Sequence, residues 1–325
     1  MIVVNYNSQH ILNVVTDCIK SIVEQIRKMP YVHLLLIDNG SSDDSPKEII
    51  NLLSTNTYRE VKRHIFLLRF VRNVGFAKAC QIAFDNFGAR YDFIVLVNND
   101  LITHDQSLFH LISILCKYPT IGAVQGVITR LNDKELDSAG VLLGPLLGMC
   151  PLDLSQLAEG GELVQVSYVD GAFLCVRSSI LKELGNILFF EELMMHLEDL
   201  ELGIRLQRAG YSVYLVKRIV GSHYRSASWL RFGDELRNYL ITRNLIAVIG
   251  AHFGIIGLLL AIIRGILVNF LFRKKLVYYS IKHGIQLRRQ MLMRIKKLSL
   301  PYRPYTSFNA ELHSLRKVAS RFLRP

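Results

Sequence analysis

The sequence has only five cysteines in 325 residues, Cys18, Cys80, Cys116, Cys150 and Cys175, and none forms a Cys-x-x-Cys pair. That argues against a structural zinc or a disulfide framework and sets the expectation of a reducing compartment. No G-x-G-x-x-G follows a strand-like run, and no G-x-x-x-x-G-K-[ST] occurs, so neither a dinucleotide-binding Rossmann unit nor a P-loop is read. There is no internal repeat and no low-complexity segment. Acid is scarce at one end. From Arg264 to Pro325, Glu311 stands alone against 15 lysines and arginines, a net of +14 in a chain whose total is +12. The body is therefore slightly acidic and the tail strongly basic, a division that points to separate roles. No leader-like segment precedes the strand-like run at Ile2, so the expected setting is the cytoplasm or the cytoplasmic face of a membrane.

Apolar residues are plentiful. Half of the chain is hydrophobic, and the mean hydropathy is positive, which hints at a membrane. Up to about residue 115, short apolar runs alternate with helical spacing. "MIVVNYNS", "HLLLID", "IFLLRFV" and "YDFIVLVNND" read as strands; Ile11–Lys28, "GFAKACQIAFDNF" and "SLFHLISILCKY" read as helices. Strands separated by helices predict a mainly parallel α/β sheet in three layers. Residues 120–180 are more mixed, and "VQVSYVDGAFLCVRSSIL" reads as strand, turn and strand feeding a helix. A helical pattern from Leu193 ends at Gly210, a plausible C-cap, and "YSVYLV" is a further strand.

Two of these strands stop at acids. Asp38 is followed by Asn39-Gly40, which forces a turn, and then by Ser45-Pro46 with Glu48, a helix start with Ser45 as cap. In open α/β sheets the ligand crevice lies beyond the carboxyl ends of strands. Asp38 either meets a ligand there or decorates a turn. Asn98-Asn99-Asp100 repeats the arrangement after "VLV". Two amides and an acid directly after a buried strand suit a cation and nucleotide site, or a plain polar loop. In "MHLEDLELGIRLQRAG", Glu198 and Asp199 sit near a helix start, where acids suit the dipole, unless one carboxylate faces a crevice as a general base. Glu201 and Arg205, four apart, are expected to pair on the helix surface. His223 is a metal ligand or a satisfied loop histidine, and Arg225 with its serines binds phosphate or solvates a loop.

In this order the segments resemble the inverting glycosyltransferases of family 2, with the GT-A fold, and within them the rhamnosyltransferase-like bacterial branch. "IVVNYNS" and "LLIDNGSSDDS" resemble the first two strands with their nucleotide loops. "RNVGFAKACQ" is similar to the N-x-G-F-A segment that holds Asn73, and "LVNND" to a variant of D-x-D. "DGAFLCVRSSIL" resembles the acceptor-side G-A-F segment. "EELMMHLEDLELGIRLQRAGYSVYLV" resembles the E-D-x-D-L-x-x-R-x-x-x-A-G-Y block, and "GSHYRSAS" the H-x-x-x-x-S after it. The resemblance covers residues 2–245. It implies that Asp38 contacts the donor base with Asn5 and Asn7 lining the same pocket. Asn99 and Asp100 would hold ribose, diphosphate and a divalent cation, Mg or Mn, with Asp100 a metal ligand and His223 a second. Asp199 would be the base, with Glu198 beside it.

The chain also departs from the family pattern. Lys78-Ala79 replaces a glycine pair, placing Lys78 as a candidate for a donor phosphate, and Cys80-Gln81 stands where asparagines are usual. Asn98 takes the first D-x-D position, still within the donor site. Phe190 replaces an expected acid at the acceptor pocket. Leu245–Phe272 is 28 residues with one formal charge, Arg264. As one helix it would measure about 42 Å, enough to span a bilayer. Gly250, Gly254, Gly257, Ala261 and Gly265 form a small-residue stripe for close packing. The segment lies in the interface, spans it, or packs on protein. The basic clusters beyond favour an anionic membrane surface over nucleic acid.

The sequence therefore predicts a GT-A domain at 1–244 and a membrane-associating part at 245–325. The expected enzyme is metal-dependent, on the cytoplasmic face of a bacterial inner membrane, peripheral or single-span. It would move a sugar from a nucleotide donor to a glycan or lipid-linked acceptor. The alternatives are a polyprenyl-phosphate sugar transferase and an inactive nucleotide-sugar-binding scaffold.

Overall fold

The computed structural model describes residues 1–153, 157–158, 160–224, 227–268, 274–304 and 306. Its first part runs β1 (Ile2–Asn5), α1 (Leu12–Lys28), β2 (Leu34–Asp38), α2 (Ser45–Leu53), β3 (Ile65–Arg69), α3 (Phe76–Phe87), β4 (Phe93–Val97), β5 (Leu101–Thr103) and α4 (Ser107–Lys117). Then come β6 (Ile121–Arg130), β7 (Leu136–Ser138), the hairpin β8 (Val141–Leu143) and β9 (Met149–Pro151), β10 (Leu163–Gln165), β11 (Phe173–Arg177) and α5 (Ser178–Glu183). The chain continues through α6 (Glu198–Arg208), β12 (Ser212–His223), α7 (Ala227–His252), α8 (Gly254–Val268) and α9 (Lys274–Ile295).

The main sheet has the order β10-β12-β6-β11-β4-β1-β2-β3, with β5 on β12 and β7 on β6. The expected parallel half is there: β1 pairs β2 and β4, and β2 pairs β3, all parallel. Beyond β4 the sheet is mixed, because β11 runs antiparallel to both β4 and β6. The unbroken apolar run of β2 follows from burial on both faces. Leu34 and Leu36 join one core with α1 and α4, while Leu35 and Ile37 join the other with α3, α5 and α6. On α1 the spacing of Val15, Cys18, Ile19, Ile22 and Ile26 gives one fully apolar face.

Three expectations about local structure are corrected. Asp44, not Ser45, precedes α2; the Ser45 hydroxyl instead accepts from Asn5 Nδ2 at 3.2 Å and donates to Asp43. The helix expected from Leu193 begins only at Glu198, since Met194, His196 and Leu197 all have positive φ. It does end as expected: Tyr211 N–H reaches Leu206 O and Gly210 N–H reaches Gln207 O, a Schellman closure with Gly210 at φ +95. Glu201 and Arg205 do pair, but the pair is fully buried rather than on the surface. The reason is that α6 has protein on every side: the second core covers Leu202 and Leu206, and the third covers Leu200 and Ile204.

Leu245–Phe272 is not one helix. α7, itself broken at Gly233, stops at His252, and α8 restarts at Gly254 with φ +71. Residues 269–272 lie outside the described residues, and the rest of the segment packs one face on protein. Leu245, Ile246, Val248 and Ile249 share the third core with Phe190, Leu193, Leu200 and Ile204. The small-residue stripe serves that packing at Gly265, where a Cβ would lie 2.8 Å from Thr242 Cγ2, but not at Gly254, which has nothing within 4 Å. Among the described residues no helix is long and apolar enough to cross a membrane. Arg225, Arg273 and the last basic stretch, 307–325, lie outside the described residues.

Candidate active site

The carboxyl ends of β1 and β2 are in register, with Asn5 opposite Asp38, and Asp38 in turn opposite Arg69 at the end of β3. The loops leaving these strands are stitched together by side chains. Asn7, at φ +48, accepts from Ser42 N–H at 2.7 Å, and Asp38 accepts from Ser41 N–H at 3.2 Å. Asp38 Oδ2 also lies 3.0 Å from Arg69 Nε. Asn73 Oδ1 accepts from Asn39 Nδ2 and from Gly75 N–H. The turn expected at Asn39-Gly40 is demanded twice. Gly40 has φ +75, and a Cβ there would sit 2.3 Å from the backbone of Arg72. Lys78, on the first turn of α3, is ion-paired with Glu191 at 2.8 Å.

A cleft of about 360 Å3 opens beside these loops. Asn98, Asn99, Asp100, Glu198, Asp199 and His223 all line it. Asn5 is buried behind them and accepts from Asn99 Nδ2 at 3.2 Å. Asp100 and His223 are 123 residues apart in sequence. They meet because β5 pairs antiparallel with β12, setting His223 opposite Leu101. His223 Nε2 is 3.0 Å from Asp100 Oδ1, and Nδ1 is 2.9 Å from Asp137 Oδ2. Burial works against an imidazolium here, but hydrogen bonds to Asp100 and Asp137 outweigh it and raise the His223 pKa to about 10.

This donor set fits a hard divalent cation. A carboxylate oxygen and an imidazole nitrogen meet at the cleft wall, and Asp137 on the far nitrogen fixes the ring as outer partners of metal-bound histidines do. Among the described residues no three His, Cys, Asp or Glu side chains form a ready-made cage. The remaining ligands would have to come from a bound diphosphate and water.

Opposite, Glu198 and Asp199 open α6. Asp199 accepts from Gly171 N–H at 3.3 Å and Leu200 N–H at 2.8 Å, while Glu198 Oε2 is buried without a hydrogen-bond partner. Burial raises both carboxyls well above the usual carboxylate range. The next cause is the neighbouring acid, Asp170 for Asp199 and Asp199 for Glu198. Neighbouring carboxylates that have lost much of their water cannot both ionise cheaply. A buried acid that binds its proton this tightly is suited to general acid–base work near neutral pH.

The segment Met194–Leu197 that delivers this pair has three positive-φ residues, a costly conformation for side chains of this size. It is held from α7. Asn244 Nδ2, fully buried, lies 2.9 Å from Leu193 O, 2.9 Å from Met195 O and 2.7 Å from His196 O. Arg243 adds a bond to Leu193 O at 2.8 Å. Asn244→Ala leaves these buried carbonyls short of a donor. The expected loss is about 2–4 kcal/mol of stability in urea unfolding, with faster amide exchange confined first to 193–199.

Sequence reasoning missed Asp137, Asp170, Asn244, and the cleft residues His196, Leu236, Arg237, Leu240 and Ile241. Asp170 was visible in "VDGAF", in the same place after a strand-like run as Asp38. The others carry no local signal. Phe190, where the resemblance expects an acid, is a core residue stacked under Arg205 and Arg294, with ring-to-guanidinium distances of 5.6 and 4.7 Å.

Residues 1–142 match the family described as Glycosyl transferase family 2. Curated relatives from two strains of Mycobacterium tuberculosis, CDC 1551 / Oshkosh and ATCC 25618 / H37Rv, are N-acetylglucosaminyl-diphospho-decaprenol L-rhamnosyltransferases. Each is 26% identical over 215 residues, covering 59% of this chain and 66% of the relative. The match thus spans just under two thirds of those relatives' length. Among solved structures, GalNAc-T7 with UDP, GalNAc and Mn2+ is similar with a TM-score of 0.62 at 15% identity, over 91% of this chain and 56% of that one. The mannosyltransferase PcManGT from Pyrobaculum calidifontis, in complex with GDP-Man and Mn2+, has a TM-score of 0.54 at 16% identity, over 100% and 80%. These likenesses establish the architecture, a mixed α/β sheet of GT-A type. The chain therefore has a fold of GT-A type, and its first 142 residues match the model of Glycosyl transferase family 2.

Proposed function

We propose that the protein transfers a sugar, with inversion, from a nucleotide-diphosphate donor to a glycan or lipid-linked acceptor in bacterial surface polysaccharide synthesis. The observation that carries this reading is the convergence on one cleft of Asp100 and His223 on one wall and of buried Glu198 with half-buried Asp199 on the other. The GalNAc-T7 structure holds UDP, GalNAc and Mn2+, the PcManGT structure holds GDP-Man and Mn2+, and the curated relatives are named for a rhamnose transfer to a lipid-diphosphate-linked sugar. Those names make a dTDP-rhamnose-like or UDP-sugar donor the first to try. Asp38, Asn5, Asn7 and Asn73 would border the nucleotide, and Asn98 and Asn99 the ribose and diphosphate. Lys78 would reach a phosphate only by leaving Glu191.

Asp100 and His223 would hold a divalent cation, which when bound neutralises charge on the departing diphosphate. Asp199 takes the proton of the acceptor hydroxyl as that oxygen attacks the sugar carbon from the face opposite the diphosphate. Gly171 N–H and Leu200 N–H orient its carboxylate. One displacement inverts the centre, and no protein nucleophile is needed. Residues 1–244 would form the transferase unit. Residues 245–325 would place it peripherally at an anionic membrane, on the cytoplasmic face of the bacterial inner membrane.

The test is calorimetric titration of UDP-, dTDP- and GDP-sugars into wild type and Asp100→Ala, with and without Mn2+ or Mg2+. The expected result is metal-dependent binding of one donor, with the metal-dependent increment lost in Asp100→Ala. Asp137→Asn should weaken the same increment about 10- to 100-fold by freeing the His223 ring. No donor bound by wild type under any metal condition would remove this reading.

A further inference from the structure

Helices on a protein surface ordinarily turn polar residues outward, and a helix apolar all round is ordinarily buried. α8 does neither. Its inner face, Gly257, Leu258, Ala261 and Gly265, is buried against the protein. Its outer face carries Ile255, Ile256, Leu259, Ile263, Ile266 and Leu267, spaced three or four apart along one stripe, and all are exposed, Ile256 to 71% and Ile255 to 63%. The described part of the stripe is continuous and bears no charge. At 15 residues the helix is about 22 Å long, shorter than the roughly 30 Å hydrocarbon core of a bilayer.

We infer that this stripe is a docking face for the surface of an anionic lipid bilayer, with α8 lying in the interface plane rather than crossing it. Charge names the occupant. Arg264–Pro325 carries a net of +14, and α9, packed beside α7, exposes Lys275, Lys282 and Arg289, with Lys296 and Lys297 exposed just past its end. α9 also exposes Tyr278 and Tyr279, the kind of ring that settles at headgroup level. A second copy of the chain would bring an equal positive charge to the same place and be repelled; anionic headgroups would be attracted. An apolar face flanked by basic residues is the pattern of a helix held at a membrane surface. Arg237, Leu240 and Ile241 of α7, the helix on which α8 packs, line the cleft. Docking of α8 would therefore bring the cleft to the bilayer that presents a lipid-linked acceptor.

This deepens the membrane part of the proposed function. Vesicle binding needs neither donor nor acceptor, so its failure would leave the transfer reaction untouched. The experiment is co-flotation of the full chain with vesicles of phosphatidylcholine alone and of phosphatidylcholine mixed with phosphatidylglycerol. The chain should float with the mixed vesicles and much less with the neutral ones. The double variant Ile256→Asn, Ile263→Asn should bind the mixed vesicles at least about tenfold more weakly, with an unchanged thermal midpoint because both side chains already face solvent. Equal binding by the variant would assign attachment to the basic tail alone and overturn the proposal. So would failure of wild type to float, or a lipid-free dimer that the variant turns into a monomer.

Discussion

Asp199→Asn should lower the transfer rate by about a hundred- to ten-thousand-fold while leaving donor affinity close to wild type. The amide keeps the size of the side chain and can still accept from Gly171 N–H, but it cannot take a proton. Steady-state kcat and donor KM, measured with whichever donor the binding panel selects, separate that outcome from a folding defect. The acid limb of the wild-type rate profile should lie above the usual carboxylate range, because burial and then Asp170 raise the Asp199 pKa. Asp170→Asn removes the second cause and should shift that limb to lower pH. Stability supplies an independent readout. Folding raises this pKa from an ordinary value of 3.8. The stability linked to the group is therefore full below 3.8 and is lost as pH rises through the folded-state value. Asp199→Asn never ionises, so its thermal midpoint should gain on wild type as pH rises. A rate within tenfold of wild type would move the base to Glu198, whose Oε2 is buried without a partner in the same cleft.

The elements were legible where a short stretch carries its own reason. The runs of β1, β2 and β4, the α1 face and the Gly210 closure all depend on residues adjacent or one turn apart. The Asp38 turn was legible because Gly40 has no substitute at that φ and that approach to Arg72. The candidate residues were found as separate acids and amides at strand ends. What no local pattern carried was their pairing. His223 meets Asp100 through the β5–β12 register, and Asp137 joins them through β7 on the next strand. The late start of α6 was hidden for the same reason. Residues 193–197 have adequate helical spacing, and it is the bonds from Asn244, some fifty residues on, that hold them out of a helix. In the C-terminal apolar run hydropathy alone could not separate a bilayer from a protein core: the chain breaks at Gly254, Leu245–Ile249 pack on Phe190, Leu193 and Leu200, and the outer stripe of α8 stays exposed.

Arg205→Leu should cost about 3–5 kcal/mol of stability, the largest loss expected for a residue outside the cleft. Arg205 is completely buried. Its guanidinium spans Glu201, bound through Nε and Nη2 at 3.0–3.1 Å, and the carbonyls of Ile187 and Leu188 at 2.7 and 2.9 Å. Removing it strands two carbonyls and leaves Glu201 as a buried charge with His252 Nε2, at 3.1 Å, as its remaining side-chain partner. Arg205→Lys should recover little, because one ammonium cannot reproduce a planar fork that reaches three groups at once. The pH dependence is diagnostic. Burial by itself would raise the Glu201 carboxyl, but Arg205 and then His252 hold it below its ordinary 4.5. In wild type that contribution is present above 4.5 and is lost as pH falls through the lower folded-state value. Without the arginine, burial dominates and Glu201 takes up a proton readily. The gap between Arg205→Leu and wild type in urea unfolding should therefore be widest near neutral pH and narrow on acidification. The double variant Arg205→Leu, Glu201→Leu should recover part of the loss at neutral pH, since it removes the stranded charge along with its partner. A gap that stays constant with pH would mean that lost packing under Phe190, and not the unpaired carboxylate, sets the cost. Since Glu201 lies on the turn of α6 that follows Glu198 and Asp199, even a folded Arg205 variant should present those two carboxyls less rigidly, with kcat falling more than donor affinity.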